Sequence, residues 1–203
     1  MTPLPPVLDE RVIRQCNART PDLVGRWTEQ ARACSIDVRT AVDTAESVNR
    51  VIDECLAPHT IGQSILNAGA LEARYGLGER LAARQIKVLP WGGPHCREAA
   101  FHCEASVTDC RAGLADTGGI LVWSDVTFGR SSTLVVPVHI VLLPVERILP
   151  DLVDGLALAQ SQQNFPSNIV VINGPSKTAD IEMKLITGVH GPKFLYVILI
   201  HPA

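Results

Sequence analysis

Apolar positions recur along this chain in two different rhythms, and each predicts its own kind of element. In the first half the rhythm is helical. Leu23, Trp27 and Ala31 fall on one face of residues 21–34, with Cys34 continuing the stripe, and Val48, Val51, Ile52 and Cys55 share a face of residues 48–56. Recurrence every three or four positions predicts amphipathic helices that bury one stripe. A further helix is expected at residues 8–18, where Cys16 follows Val12 by one turn. Asp43 with Glu46 three residues later marks a helix start, because side-chain oxygens there accept from amides that lack a helical partner. Residues 36–42 and 86–89 read as short strands, residues 60–66 as extended chain, and residues 69–84 as a helix weakened at Gly76 and Gly78. Trp91-Gly92-Gly93-Pro94 then breaks the pattern.

The second half changes rhythm. Residues 120–123, 134–143 (interrupted at Pro137), 169–172 and 194–200 are short apolar, β-branched runs, the signature of strands buried on both faces. Between them, Ile148, Leu152, Leu156 and Ala159 give residues 145–160 helical spacing. Strands alternating with helices predict a three-layer, mainly parallel α/β sheet domain over residues 35–203, preceded by an N-terminal helical extension over residues 1–34. Ligands of open parallel sheets sit at the carboxyl ends of strands, so the loops after residues 123 and 172 are expected to form the crevice.

Polar chemistry concentrates between the last two predicted strands, in the run GPSKTADIEMKLITGVHGP at 174–192. A turn at Gly174-Pro175 precedes the hydroxyls of Ser176 and Thr178, the ammonium of Lys177 and the acids Asp180 and Glu182. A helix-like stretch follows, and His190-Gly191-Pro192 closes the run. Amides at a turn that opens a helix have no intrahelical partner and suit an anion. Each residue also has a purely architectural reading. Ser176 and Thr178 can satisfy a helix N-terminus, Asp180 and Lys184 can form a surface pair, and Gly188 can stop the helix while His190 merely turns the chain.

Composition narrows the function classes. With 203 residues, 46% of them hydrophobic and 19% charged, the chain suits one well-buried domain. A formal net charge of −3 with scattered Lys and Arg gives no footprint for nucleic acid. No uninterrupted apolar run approaches the ~20 residues of a membrane-spanning helix, and Asp9, Glu10 and Arg11 are unlike a signal peptide, so a cytoplasmic protein is expected. The six cysteines are expected to be reduced, and no CxxC pair or ferredoxin spacing is present to ligate an iron–sulfur cluster. His95, Glu98 and His102 fall at i, i+3 and i+7, a spacing that could present a metal face on a helix but reads better as a polar outer face.

Asp116-Thr117-Gly118-Gly119 before one strand, Pro137-Val138-His139-Ile140 entering the next, and the run at 174–192 together resemble the LUD domain, the family of lactate-utilisation protein C. The resemblance covers residues 36–200. It implies a fold similar to the sugar-phosphate isomerases and CoA transferases, in keeping with the alternation of strands and helices. It also implies a part in oxidising L-lactate to pyruvate beside iron–sulfur partner proteins encoded in the same operon, with no cofactor in this chain itself. A small carboxylate such as lactate or pyruvate would then be held among Thr117, Gly118, Gly119, Gly174, Ser176, Lys177, Thr178, Asp180, Glu182, His190 and Gly191. The chain departs from the family pattern twice. Asp116 and Gly119 stand where Glu-Thr-Gly-Thr is usual, and Lys177 replaces an arginine, keeping the charge but not the bidentate fork. The alternative class is a free-standing enzyme acting on a small carboxylate, acyl-CoA or sugar phosphate, with Asp180 or Glu182 as base or nucleophile.

Overall fold

The computed structural model describes residues 21–92, 96–125, 128–179, 185–188 and 191–203. Its first helix, α1 (Leu23–Ala33), starts where the Asp22 carboxylate accepts from the Gly25 amide at 2.7 Å, and it buries Trp27 and Ala31 as the stripe requires. Strand β1 (Asp37–Val42) leads into α2 (Ala45–Leu56), capped by Thr44 and burying Val48, Val51, Ile52 and Cys55. The expected helix start is present, but Thr44 does the capping, while Asp43 binds Arg74 and the Tyr75 hydroxyl. Next come β2 (Gln63–Asn67), α3 (Ala70–Tyr75), α4 (Leu77–Ala83) and β3 (Lys87–Pro90). Gly76, at φ +62°, separates α3 from α4, which is the break that its sequence position suggests.

After α5 (Cys96–Ala100) follow β4 (Ala105–Asp109), β5 (Ala112–Leu114), β6 (Gly119–Ser124), α6 (Ser131–Leu134), β7 (Val138–Pro144), β8 (Ile148–Leu149), α7 (Leu152–Gln160) and β9 (Asn168–Ile172). The chain ends with β10 (Lys177–Ala179), β11 (Leu185–Thr187) and β12 (Phe194–His201). Six strands form a parallel sheet in the order β1-β12-β7-β4-β2-β3. Helices α2, α3 and α4 cover one face, packing Ile52, Leu56, Leu71 and Leu81 on Val107, Ile140 and Ile198. The opposite face is shared. Over β1, β12 and β7 lie α1 and a second sheet, ordered β8-β5-β6-β9, whose Ile120 and Val122 join Trp27, Val141, Leu143 and Val197 in one core. Over β2 and β4 lie α5 and α6, with Ile65, Ala100, Cys103 and Val136 in contact. Helix α7 covers the outside of the second sheet through Ala159 against Leu121. The mainly parallel, layered α/β architecture is thus the observed one, with a small mixed sheet replacing helices over part of one face.

Four local expectations are corrected. Residues 145–160 are not one helix: a 3-10 turn at Val145–Arg147 and strand β8 precede α7, which begins only at the Asp151 carboxylate, acceptor for the Val153 and Asp154 amides. The interrupted strand at 134–143 is helix α6 followed by β7, which Pro137 delimits. The run at 174–192 contains no described helix. Lys177, Thr178 and Ala179 pair antiparallel with Thr187, Ile186 and Leu185, a pairing that suits the β-branched Thr178, Ile186 and Thr187. The expected crevice between the loops after 123 and 172 does not form either, because β6 and β9 are antiparallel, with Ser124 opposite Asn168 and Ile120 opposite Ile172. The helix expected at residues 8–18, and Cys16 with it, lies outside the described residues.

Candidate functional site

The loop after β9 meets the turn before β6, so the two glycine turns singled out from the sequence do converge. They converge on the end of α1. A Cβ on Gly118, at φ +68°, would stand 2.1 Å from the Ala31 amide nitrogen, and one on Gly174, at φ +112°, 2.4 Å from the Cys34 carbonyl oxygen. Trp27 Nε1 donates to the Gly119 carbonyl at 3.0 Å, and Lys177 Nζ donates to Ser35 Oγ at 2.6 Å. Close packing therefore accounts for both glycines. The neighbouring amides are engaged as well: Gly118 donates to the Leu114 carbonyl at 2.8 Å, Gly119 to Thr117 Oγ1 at 3.3 Å, and Ser176 to the Pro192 carbonyl at 2.8 Å. Gly191 packs its backbone beside Ser176 Cβ, and Thr178 sits in β10. Asp180, Glu182 and His190 lie outside the described residues. This cluster occupies the amino ends of the parallel strands, since Lys193 and Phe194 donate to the Pro137 carbonyl just before β12 and β7 begin.

A second location follows from topology. The connection leaving β2 runs outward to β3, whereas that leaving β4 runs the other way toward β7, so the chain reverses direction between β2 and β4. At such a switch point the diverging connections leave a crevice at the carboxyl ends of the strands. A crevice of about 190 Å³ opens there, lined by Asn67 from the end of β2, Glu72 from α3, Pro90 at the end of β3 and Trp91 after it, Asp109 from the end of β4, and Arg111 and Phe128; the Glu72 carboxylate accepts from the Ala68 amide at 2.8 Å. Asp109 is buried, and burial raises its carboxyl above the usual range, opposed by the neighbouring charges of Arg147 and Arg111. Arg147 reaches Asp109 Oδ2 at 3.2 Å and the Cys110 carbonyl at 2.8 Å. Arg111 lies 5.2 Å from the Trp123 ring centroid, 5.7 Å from that of Phe128, and 2.5 Å from Asp125 Oδ2. Asn67 brings a buried side-chain amide with no partner for its Nδ2. A guanidinium, an orphaned amide donor and a carboxyl poised above its ordinary range form a set that can grip a small carboxylate and exchange a proton with it.

The matched family is the LUD domain, whose model covers residues 24–200. The chain belongs to the LUD domain family. The matched range takes in α1, in line with the burial of Trp27 and Ala31 in the core under the sheets. Among curated relatives, "Lactate utilization protein C" of Halalkalibacterium halodurans is 32% identical over 178 residues, 84% of this chain and 75% of that protein. The protein of the same name from Macrococcus caseolyticus is 29% identical over 162 residues, 77% of this chain and 69% of its own length. The fold is similar to a crystal structure of a DUF162 family protein from Deinococcus radiodurans, with a TM-score of 0.60 at 15% identity, covering 88% of this chain and 96% of that one.

Sequence reasoning missed Asn67, Asp109 and Arg111 because nothing local distinguishes them. Strand β4 reads ASVTD, with small and polar residues in place of an apolar run, yet every one of its positions is buried. The one local hint was Trp91 at the chain break after β3. Among the described residues no three His, Cys, Asp or Glu side chains stand together as a metal site. Helix α5 ends at Ala100, so Glu98 and His102 do not share a helical face, and His95 lies outside the described residues. Among the described residues Cys34, Cys55, Cys96, Cys103 and Cys110 are free, Cys55, Cys103 and Cys110 being buried. No helix of the described residues is long and apolar enough to cross a membrane.

Proposed function

We propose that this LUD domain protein serves lactate utilisation as a subunit that holds a small carboxylate, lactate or pyruvate, in the crevice at the carboxyl ends of β2 and β4. The observation that carries the reading is the convergence of Asn67, Asp109 and Arg111 at the switch point in a chain similar to lactate utilization proteins C. Arg111 and the Asn67 amide would bind the carboxylate, and the Asp109 carboxyl would face the α-hydroxyl or keto oxygen. Oxidation of L-lactate to pyruvate releases two electrons and two protons. Asp109 is suited to accept the hydroxyl proton, the proton from Cα would pass to solvent at the open crevice, and the two electrons would leave through iron–sulfur partner proteins. We place this protein with those partners in one cytoplasmic complex.

Calorimetric titration of the full chain, alone and with cysteine-rich partners from the same operon, tests the reading. Saturable lactate or pyruvate binding that Arg111→Ala and Asn67→Ala each weaken about tenfold is the expected result. Failure of both acids to saturate the isolated chain and the assembled complex would sink it. The raised Asp109 carboxyl also favours a second reading, a free-standing enzyme using Asp109 as general acid or base on a small acid. Turnover by the purified chain without partners, abolished in Asp109→Asn, would select that reading.

A further inference from the structure

We propose that the larger cleft beside the crevice binds a mononucleotide, a phosphate monoester carried on a flat base. The cleft measures about 550 Å³ and shares Trp91 and Phe128 with the crevice. At about 30 Å³ per water that space corresponds to roughly eighteen waters, several times the bulk of a small hydroxy acid. Its charge is set by Arg97 and Arg130. Arg39, Arg50, Arg74, Arg80, Arg84, Arg111 and Arg147 each pair with a carboxylate, whereas neither Arg97 nor Arg130 has a carboxylate partner among the described residues. Among the described residues the one acid lining the cleft is Asp125, held by Arg111 at 2.5 Å and by the Phe128 amide at 2.9 Å. The cleft is therefore locally positive in a chain of formal net charge −3.

Two unengaged guanidiniums match a dianionic phosphate monoester better than a single carboxylate, because each can form a fork of charge-assisted bonds. The rest of the lining suits a base. Trp91 packs so closely on Gly129 that a Cβ there would stand 2.1 Å from the ring, which fixes the indole as one wall. Stacking on such a wall favours a planar heterocycle. Asn168 Oδ1 is buried without a donor, an acceptor suited to an exocyclic amine or a ribose hydroxyl.

The inference stands apart from the lactate reading, because Arg97, Arg130 and Asn168 take no part in the crevice. Its test is a titration of the full chain with AMP and with inorganic phosphate, followed by calorimetry and tryptophan fluorescence. AMP is expected to saturate, inorganic phosphate to compete more weakly, and Arg97→Ala with Arg130→Ala to weaken AMP by tenfold or more while leaving lactate affinity unchanged. Both arginines are exposed, so the double variant is expected to keep its circular dichroism, and Trp91→Leu supplies an independent loss of base stacking. The proposal fails if AMP does not saturate, if inorganic phosphate binds as tightly as AMP, or if a folded double variant binds AMP like the parent. A chain that binds AMP but neither lactate nor pyruvate refutes the lactate reading and leaves this one standing.

Discussion

Gly118 is set against the backbone of α1, at φ +68° and with no room for a Cβ, whereas Gly92, at φ +105°, has nothing within 4 Å of the same position. The two test close approach separately from backbone strain. Gly92→Ala should cost about 1–2 kcal/mol for the left-handed conformation alone, and Gly118→Ala should cost at least about 2 kcal/mol more, by urea unfolding. His139 supplies a pH test. It is fully buried, with Nε2 2.9 Å from Thr108 Oγ1, and burial lowers its pKa from 6.5 to about 3. The unfolded chain takes up that proton first, so the contribution is complete above pH ~6.5 and is lost as pH falls toward ~3, by roughly 1.4 kcal/mol per unit. Urea midpoints of the parent should therefore drop over that window, and those of His139→Gln should drop less. Gly118 was legible as a turn residue and His139 as part of a family motif. The reasons each is there, a helix backbone and a sealed sheet face, come from residues distant in the chain.

At the scale of elements, capping decides where two helices begin. Asp151 accepts from two amides at 2.8 and 3.1 Å and is nearly buried, while Thr44 accepts from one at 3.2 Å and is exposed. Asp151→Ala should cost about 1–2 kcal/mol and Thr44→Ala less, about 0.5–1 kcal/mol. Hydrogen exchange of the Val153 and Asp154 amides should accelerate selectively in Asp151→Ala. The start of α2 was read from Asp43 and Glu46, one residue from Thr44, the side chain that caps it. The start of α7 was misplaced, because Ile148 falls on the same helical period as Leu152 and Leu156 and draws the apparent helix back into β8. Strands β4 and β5 escaped the pattern because Ser106, Thr108 and Gly113 interrupt any apolar run while remaining buried in the folded sheets. In the run at 174–192 helical and extended readings compete over a short stretch, and at Lys177–Ala179 and Leu185–Thr187 antiparallel pairing makes it strand.

The whole molecule is knit by one core cluster that joins both sheets, with Trp27 fully buried and Gly113 giving it room: a Cβ at Gly113 would approach the indole to 2.9 Å. Unfolding should therefore be a single transition, coincident by circular dichroism and tryptophan fluorescence, and Trp27→Ala should cost about 3–5 kcal/mol while keeping one transition. Two transitions would mean that the small mixed sheet unfolds apart from the parallel one. The same scale separates the two candidate regions. The glycine turns and Lys177 gather at the amino ends of the strands, whereas Asn67, Asp109 and Arg111 gather at the carboxyl ends, a division that no local pattern contains. By itself the sequence determined the α/β class, most of the buried strands, the amphipathic helices α1 and α2 and the family, because burial periodicity and an extended motif are local properties. Strand order, the antiparallel direction of β6 and β9, the hairpin and the switch-point crevice were decided only by tertiary structure, since each depends on which strands pair and in which direction across the fold.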